Sequence, residues 1–151
     1  MPNTPALIGQ GAAAIAAGSA AGPADLDWAA GILSAVGTVA VVEEPLLDAV
    51  TGLSGSGPAY LFLLAEALID AGCGAGLSRD IAVALTEQTL LGASTLLATS
   101  EEEPSTLRER VTSKGGTTAA GLAVFEASGF REVVRDVVAA ATERSRQLGG
   151  E

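Results

Sequence analysis

Apolar residues recur at helical spacing along most of the chain. The segments with this spacing are 25–36, 46–53, 58–71, 79–98, 104–111, 116–127 and 130–148. Ser78 is the expected N-cap of the fourth segment, and Pro104 lies at the start of the fifth. In the last segment Phe130, Val133 and Val137 belong to an i, i+3, i+4 stripe. The pattern therefore predicts a helical protein.

A strand is indicated only at 38–42, TVAVV, where β-branched residues alternate with others. Residues 12–17 fit either a helical turn or a short strand, and the sequence does not choose between them. Residues 1–11 contain two prolines and are expected to be irregular.

The helix predicted over 58–71 is apolar almost all round, interrupted only by Glu66 and Asp70 on one side. Such a helix is buried on every face, and a second apolar helix follows it. A monomer of 151 residues has little material to cover both. We therefore expect a second copy of the chain to pack against them, and the alternative is a compact monomeric bundle.

The length of 151 residues corresponds to one domain. Aromatic residues make up 3% against 48% hydrophobic, which favours close packing of helices through small side chains. The net charge of −10 disfavours nucleic acid and anionic membranes as partners. The longest uncharged apolar stretch, 28–42, is too short to cross a bilayer. We expect a soluble, cytoplasmic protein without a membrane anchor.

Cys73 is the single cysteine and there are no histidines. An internal disulfide is therefore impossible, and a reducing compartment is the easier environment. Catalytic triads that use histidine are excluded, and we expect no metal site. The remaining chemistry belongs to carboxylates, hydroxyls, backbone amides or a bound cofactor.

The glycine-rich segment 51–60, TGLSGSGPAY, invites comparison with a phosphate-binding loop. The dinucleotide fingerprint G-x-G-x-x-G fails because Tyr60 stands where the third small residue belongs and the preceding residues have helical spacing. A Walker A loop fails because the only lysine, Lys114, is far away. We expect a helix break at Gly57, with Pro58 opening the next helix. Ser54 and Ser56 are then available as caps.

A second polar segment, 112–121, has the sequence TSKGGTTAAG. Two glycines precede two threonines and an apolar helix, so free amides at the helix start are open to a ligand. Ser113, Thr117 and Thr118 add hydroxyl groups. This arrangement suits a carboxylate, and the alternative is an ordinary Gly-Gly turn followed by a threonine cap.

Residues 48–60, DAVTGLSGSGPAY, and 110–126, RVTSKGGTTAAGLAVFE, together resemble the signature segments of pyrroline-5-carboxylate reductases. MPNTP at 1–5 also resembles the passage out of that family's cofactor domain. The resemblance implies an all-α helical bundle, similar to the C-terminal domain of 6-phosphogluconate dehydrogenase, that forms an intertwined homodimer. It implies that residues 1–11 are the remnant of the passage from an absent Rossmann domain. Residues 12–151 would be the dimerisation and substrate-binding domain.

The family reduces 1-pyrroline-5-carboxylate, a small cyclic imine, to L-proline with NADPH or NADH. Because no nucleotide domain is recognisable in these residues, we expect the isolated chain to be inactive. Assembly of dimers into larger oligomers is left open. The alternative function is a non-catalytic helical dimerisation module of the same fold.

The resemblance also assigns site residues. Thr118 would hydrogen-bond the ring nitrogen, and Glu101 would stabilise the iminium electrostatically, although a solvated glutamate is an equal alternative for Glu101. Asn3 would line the nicotinamide side as a cofactor-binding residue. The substrate would be held by Ser113, Gly115, Gly116, Thr117 and Thr118.

Overall fold

The computed structural model describes residues 1–150, and helices dominate it. The strands are β1 (Gly11–Ile15) and β2 (Gly37–Val41). The α-helices are α1 (Pro23–Ser34), α2 (Leu47–Val50), α3 (Gly57–Gly74), α4 (Arg79–Thr99), α5 (Pro104–Arg110), α6 (Thr117–Ala127) and α7 (Phe130–Gly149). The 3-10 helices are Thr4–Ile8 and Glu44–Leu46, and Thr51–Gly55 is a π-helix. The predicted helical class is confirmed, with one small sheet added to it.

The sheet consists of β1 and β2 in parallel, with Gly11 opposite Gly37 and Ile15 opposite Val41. Helix α1 connects them, which completes a β-α-β unit. Residues 12–15 of the ambiguous segment 12–17 are therefore a strand, because β2 supplies the hydrogen-bonding partner that an isolated strand lacks. Within β1, Ala14 is buried, with 2% of its surface exposed.

The chain divides into two compact units. The sheet unit comprises Met1–Leu61 with Glu132–Glu151, and the helical unit comprises Phe62–Arg131. Residues 1–11 belong to the sheet unit, where Met1 and Ala14 exchange backbone hydrogen bonds of 2.7 and 3.0 Å. Their origin as the remnant of a passage between domains stays a prediction.

The prediction of a helix break at Gly57 is wrong. The backbone stays in the right-handed helical region at Val50 and Thr51 and at Ser56, and α3 begins at the next residue. Ser54 does not act as a cap, because its hydroxyl donates back to the carbonyl of Val50 at 3.2 Å. The glycines and serines allow a widened helical turn here, without ending the helix.

Apolar side chains are largely uncovered within one copy of the chain. Ala14 and Ala82 are the buried hydrophobic residues among those described, while Phe62, Leu91 and Val133 are each more than half exposed. The chain exposes 10601 Å². A compact chain of this mass exposes about 7000 Å², and two separate compact units of half the mass together expose about 8500 Å². A large apolar surface is therefore exposed in a single copy of the chain.

Two helical stretches, Glu44–Gly74 and Arg79–Thr99, are long and apolar enough to cross a membrane by length and composition. Core helices of proteins in water pass the same test. The sequence pattern had not marked either stretch as a candidate span. A protein partner and a lipid environment are the two ways to cover them.

Candidate functional site

The segment Ser113–Gly116 forms a tight turn in the helical unit. The amide of Gly116 donates to the carbonyl of Ser113 at 3.0 Å. Gly115, the third residue of the turn, has a φ of 72°, a left-handed conformation that favours glycine, as in a type II turn. At Gly116 a side chain would collide with the hydroxyl of Ser113. Gly115 therefore has a backbone reason to be glycine, whereas a side chain at Gly116 would require the Ser113 hydroxyl to rotate away.

Helix α6 starts directly after this turn. Gly116 is its N-cap, with extended backbone, and its carbonyl accepts the amide of Ala120 at 3.1 Å. The amides of Thr117, Thr118 and Ala119 precede that first helical bond and have no acceptor within the helix. A glycine cap has no side chain to accept from them. The helix start therefore presents hydrogen-bond donors and the positive end of its dipole to a ligand.

The hydroxyl groups around the turn are also free. Ser113, Thr117 and Thr118 are exposed, and their hydroxyls make no hydrogen bond with any of residues 1–150. The structure thus brings Ser113, Gly115, Gly116, Thr117 and Thr118 together. It adds Ala119, which sequence reasoning missed because the helix was expected to begin one residue earlier, at Gly116. The amide of Gly116, by contrast, is already used by the turn.

Glu101 lies outside this cluster, on the other side of α5 in the chain. It is exposed and makes no hydrogen bond or ion pair with residues 1–150. Its neighbour Glu102 instead pairs with Arg110, and the Glu102 amide donates to the hydroxyl of Ser100 at 3.1 Å. In the linker between α4 and α5, the carboxylate of Glu101 is therefore available to a ligand.

Asn3 lies in the sheet unit, and its side chain already has two partners. The Nδ2 group donates to the carbonyl of Ser54 at 3.0 Å, and Oδ1 accepts the amide of Ala12 at 2.9 Å. The structure therefore joins two segments that carried the family resemblance, 1–5 and 48–60. The contact of Asn3 with a nicotinamide stays a prediction.

Together these features describe a helical domain with a small β-α-β unit and an open helix start. The profile of the pyrroline-5-carboxylate reductase dimerisation family matches residues 44–148. The chain belongs to this family.

Known relatives agree with this assignment. The pyrroline-5-carboxylate reductase of Synechocystis is 53% identical over 149 residues, covering 99% of this chain and 56% of the relative. That of Arabidopsis thaliana is 47% identical over 148 residues, covering 98% of this chain and 54% of the relative. The chain thus spans just over half the length of the curated relatives it matches.

Solved structures show the same fold. A pyrroline-5-carboxylate reductase from Coxiella burnetii superposes with a TM-score of 0.94 at 40% identity, covering 98% of this chain and 55% of that one. The Plasmodium falciparum pyrroline carboxylate reductase with NADP bound gives a TM-score of 0.90 at 36% identity, with coverage of 99% and 61%.

Proposed function

We propose that this chain forms the dimerisation and substrate-binding part of a reductase that converts 1-pyrroline-5-carboxylate to L-proline. Family membership supports the reaction. The observation that carries the role of these residues is the open start of α6, where free amides and hydroxyls face outward beside a glycine turn.

The substrate carboxylate is bound at this helix start. The amides of Thr117, Thr118 and Ala119 donate to its oxygens, and the helix dipole favours its negative charge. The hydroxyl of Ser113 adds a donor from the turn. Because the turn fixes Gly116 by its own hydrogen bond, these donors are pre-arranged and need little ordering when the ligand arrives.

The imine end of the substrate is positioned by Thr118 and Glu101. A protonated imine carries one N–H and a positive charge, so the hydroxyl oxygen of Thr118 accepts its hydrogen bond. The carboxylate of Glu101 stabilises the cation without taking its proton. No histidine is needed, because the imine nitrogen already carries its proton.

The residues described here do not fit the pyrophosphate of a dinucleotide. The connection from β1 to α1 contains Gly18 and Gly22 but no G-x-G-x-x-G. The segment Thr51–Gly55 is helical, so it is not a strand-to-helix turn. We propose that NADH or NADPH, which supplies the hydride, is held mainly by residues outside this sequence, and that the 151-residue chain alone is inactive.

The exposed apolar faces of α3, α4 and α7 are covered by a second copy of the chain. Two observations support this: the family is described by its dimerisation, and the chain exposes far more surface than compact units of its mass. The assembly is a soluble cytoplasmic homodimer. Sedimentation of the purified chain without detergent as a dimer supports it, whereas a requirement for detergent contradicts it in favour of a membrane.

The substrate site is tested by calorimetry with L-proline, the proposed product. Thr118→Ala should weaken binding about fivefold or more, since one hydrogen bond contributes about 1 kcal/mol. Thr99→Ala is the matched control, because the Thr99 hydroxyl donates only to its own helix at Thr95, 2.9 Å away. Equal affinity in the Thr118 variant and the unmodified chain would contradict the proposed site.

The reaction is tested in a fusion. The part of the Synechocystis relative that lies outside the matched region is joined to residues 1–151, and oxidation of NADPH or NADH by the imine is followed. Activity in the fusion and none in the 151-residue chain is expected. A fusion that binds the cofactor but does not reduce the imine would favour the non-catalytic dimerisation module.

A further inference from the structure

The carbonyls around the π-helix Thr51–Gly55 are occupied by side chains. Thr51 donates to Leu47 at 2.8 Å, Ser54 to Val50 at 3.2 Å, and the Tyr60 hydroxyl to Gly52 at 3.1 Å. Nδ2 of Asn3 donates to Ser54 at 3.0 Å. A π-helix is rare and occurs often at functional sites, and this one is held by hydroxyl and amide donors. Asn3 is the one donor among these that lies in a distant part of the chain.

The other end of the Asn3 side chain is fixed on strand β1. Alternate amides of β1 point away from β2, and those of Ala12 and Ala14 do so here. Ala14 pairs with the backbone of Met1 at 3.0 Å, while Ala12 donates to Oδ1 of Asn3 at 2.9 Å. The Asn3 side chain therefore takes the place of a backbone partner at this edge and links the edge to the π-helix.

The π-helix also lies against α7. A Cβ on Gly52 would collide with the Thr142 hydroxyl and would lie 2.8 Å from the carbonyl of Val138. The π-helix is thus in contact both with α7 and with the Asn3 bridge. Loss of the Asn3 contact would free the π-helix from β1.

We propose that Asn3 is a positioning residue, which sets the place of the π-helix Thr51–Gly55 relative to β1 and acts on the reaction through that segment. Its carboxamide retains one N–H and one lone pair, so its main partners lie within the protein. The catalytic consequence rests on the proposed function, while the structural bridge does not.

The bridge is tested by amide hydrogen exchange of the 151-residue chain, followed by NMR. Asn3→Asp keeps the acceptor for Ala12 but places a carboxylate against the Ser54 carbonyl. Exchange at Ser56, whose amide donates to Thr51 at 2.8 Å, should rise about tenfold, while exchange at Ala12 should change less than about twofold. Asn3→Ala should accelerate both. Amides of α6, in the helical unit, are the control for global unfolding.

Unchanged exchange at Ser56 in Asn3→Asp would overturn the proposal. Acceleration of α6 by the same factor would overturn it too, since the effect would then be loss of the whole fold.

The catalytic consequence is tested in the fusion with a double-mutant cycle. Asn3→Asp and Tyr60→Phe act on the same segment through different carbonyls, so each should lower kcat/KM about fivefold, and together they should lower it by less than the product. If Tyr60→Phe leaves kcat/KM unchanged and Asn3→Asp alone strongly raises the KM for the cofactor, Asn3 contacts the cofactor directly. That result overturns the proposal. If the unmodified fusion is inactive, the proposed function fails, and the exchange experiment still decides the positioning role.

Discussion

Two segments of this chain have nearly the same composition but differ in how far their polar groups find hydrogen-bond partners inside the protein. TGLSGSG, at 51–57 in the sheet unit, and TSKGGTT, at 112–118 in the helical unit, both consist mainly of glycine, serine and threonine. In the first, the hydroxyls of Thr51 and Ser54 and two of the carbonyls find partners inside the protein, including Asn3 and Tyr60. In the second, the amides at the start of α6 and the hydroxyls of Thr117 and Thr118 have none among residues 1–150.

The two segments differ in which backbone groups, carbonyls or N–H groups, are left without a partner in the helix. A widened helical turn disturbs carbonyl acceptors, and serine, threonine, tyrosine and asparagine side chains can donate to them. The start of α6 leaves N–H donors, and its glycine cap offers no acceptor. A segment that leaves several donors without internal partners is the better candidate for ligand binding, and one whose groups are largely satisfied serves to position its neighbours.

The largest effect is expected from Gly52→Ala. The new methyl would collide with the hydroxyl of Thr142 and lie 2.8 Å from the Val138 carbonyl, and backbone cannot move aside as a flexible side chain can. We expect a loss of about 3 kcal/mol in the free energy of unfolding, measured by urea denaturation. Gly31→Ala, in α1 with nothing within 4 Å of the new atom, is the control and should stabilise by about 0.5–1 kcal/mol. Equal effects would show that the π-helix is not tightly seated.

A smaller loss is expected from Ser145→Ala. Its hydroxyl on α7 donates to Oδ1 of Asp48 on α2 at 2.6 Å in a partly buried position. Removal should cost about 1.5 kcal/mol, because the acceptor is charged. Asp48→Asn retains an acceptor oxygen and should cost less. Thermal unfolding of both variants decides this, and a larger loss in the asparagine variant would contradict the assigned hydrogen bond.

Most of the fold was predictable from local patterns. The helix over 130–148 was marked by its apolar stripe, and the observed α7 is Phe130–Gly149. The π-helix was not predictable, because its stability depends on Asn3 and on the close approach of Thr142, which are distant in the sequence. A strand at β1 was ambiguous for the same reason, since its partner lies beyond α1.

The site was partly predictable. The GGTT pattern indicates free amides because a turn and a helix start are both local, and the structure confirms that arrangement of the backbone. The role of Glu101 stays a prediction, since it depends on a ligand that links the linker before α5 to the turn after it. The use of Gly116's amide inside the turn could not be foreseen from the order of residues.

Gly115→Ala tests the turn at the open site. An alanine at a φ of 72° costs about 1 kcal/mol. Relaxation of the backbone away from this angle would displace the donors at the start of α6. Binding of L-proline should weaken about fivefold, measured by calorimetry. Gly115→Asn is the control, because asparagine tolerates this conformation better and should retain most of the affinity. If alanine and asparagine weaken binding equally, a requirement for space outweighs the backbone conformation.

The smallest effect is expected from Lys114→Gln. Lys114 is exposed in the turn and makes no ion pair with residues 1–150, so its charge is free to attract a carboxylate in a protein of net charge −10. Removing the charge should weaken L-proline binding about two- to threefold at low salt, and the difference should vanish near 1 M salt, where screening acts within about 3 Å. Lys114→Arg keeps the charge and is the control. A loss that persists at high salt would mean that Lys114 contacts the ligand directly, and the open site would then contain a side chain of its own in addition to its backbone donors and hydroxyls.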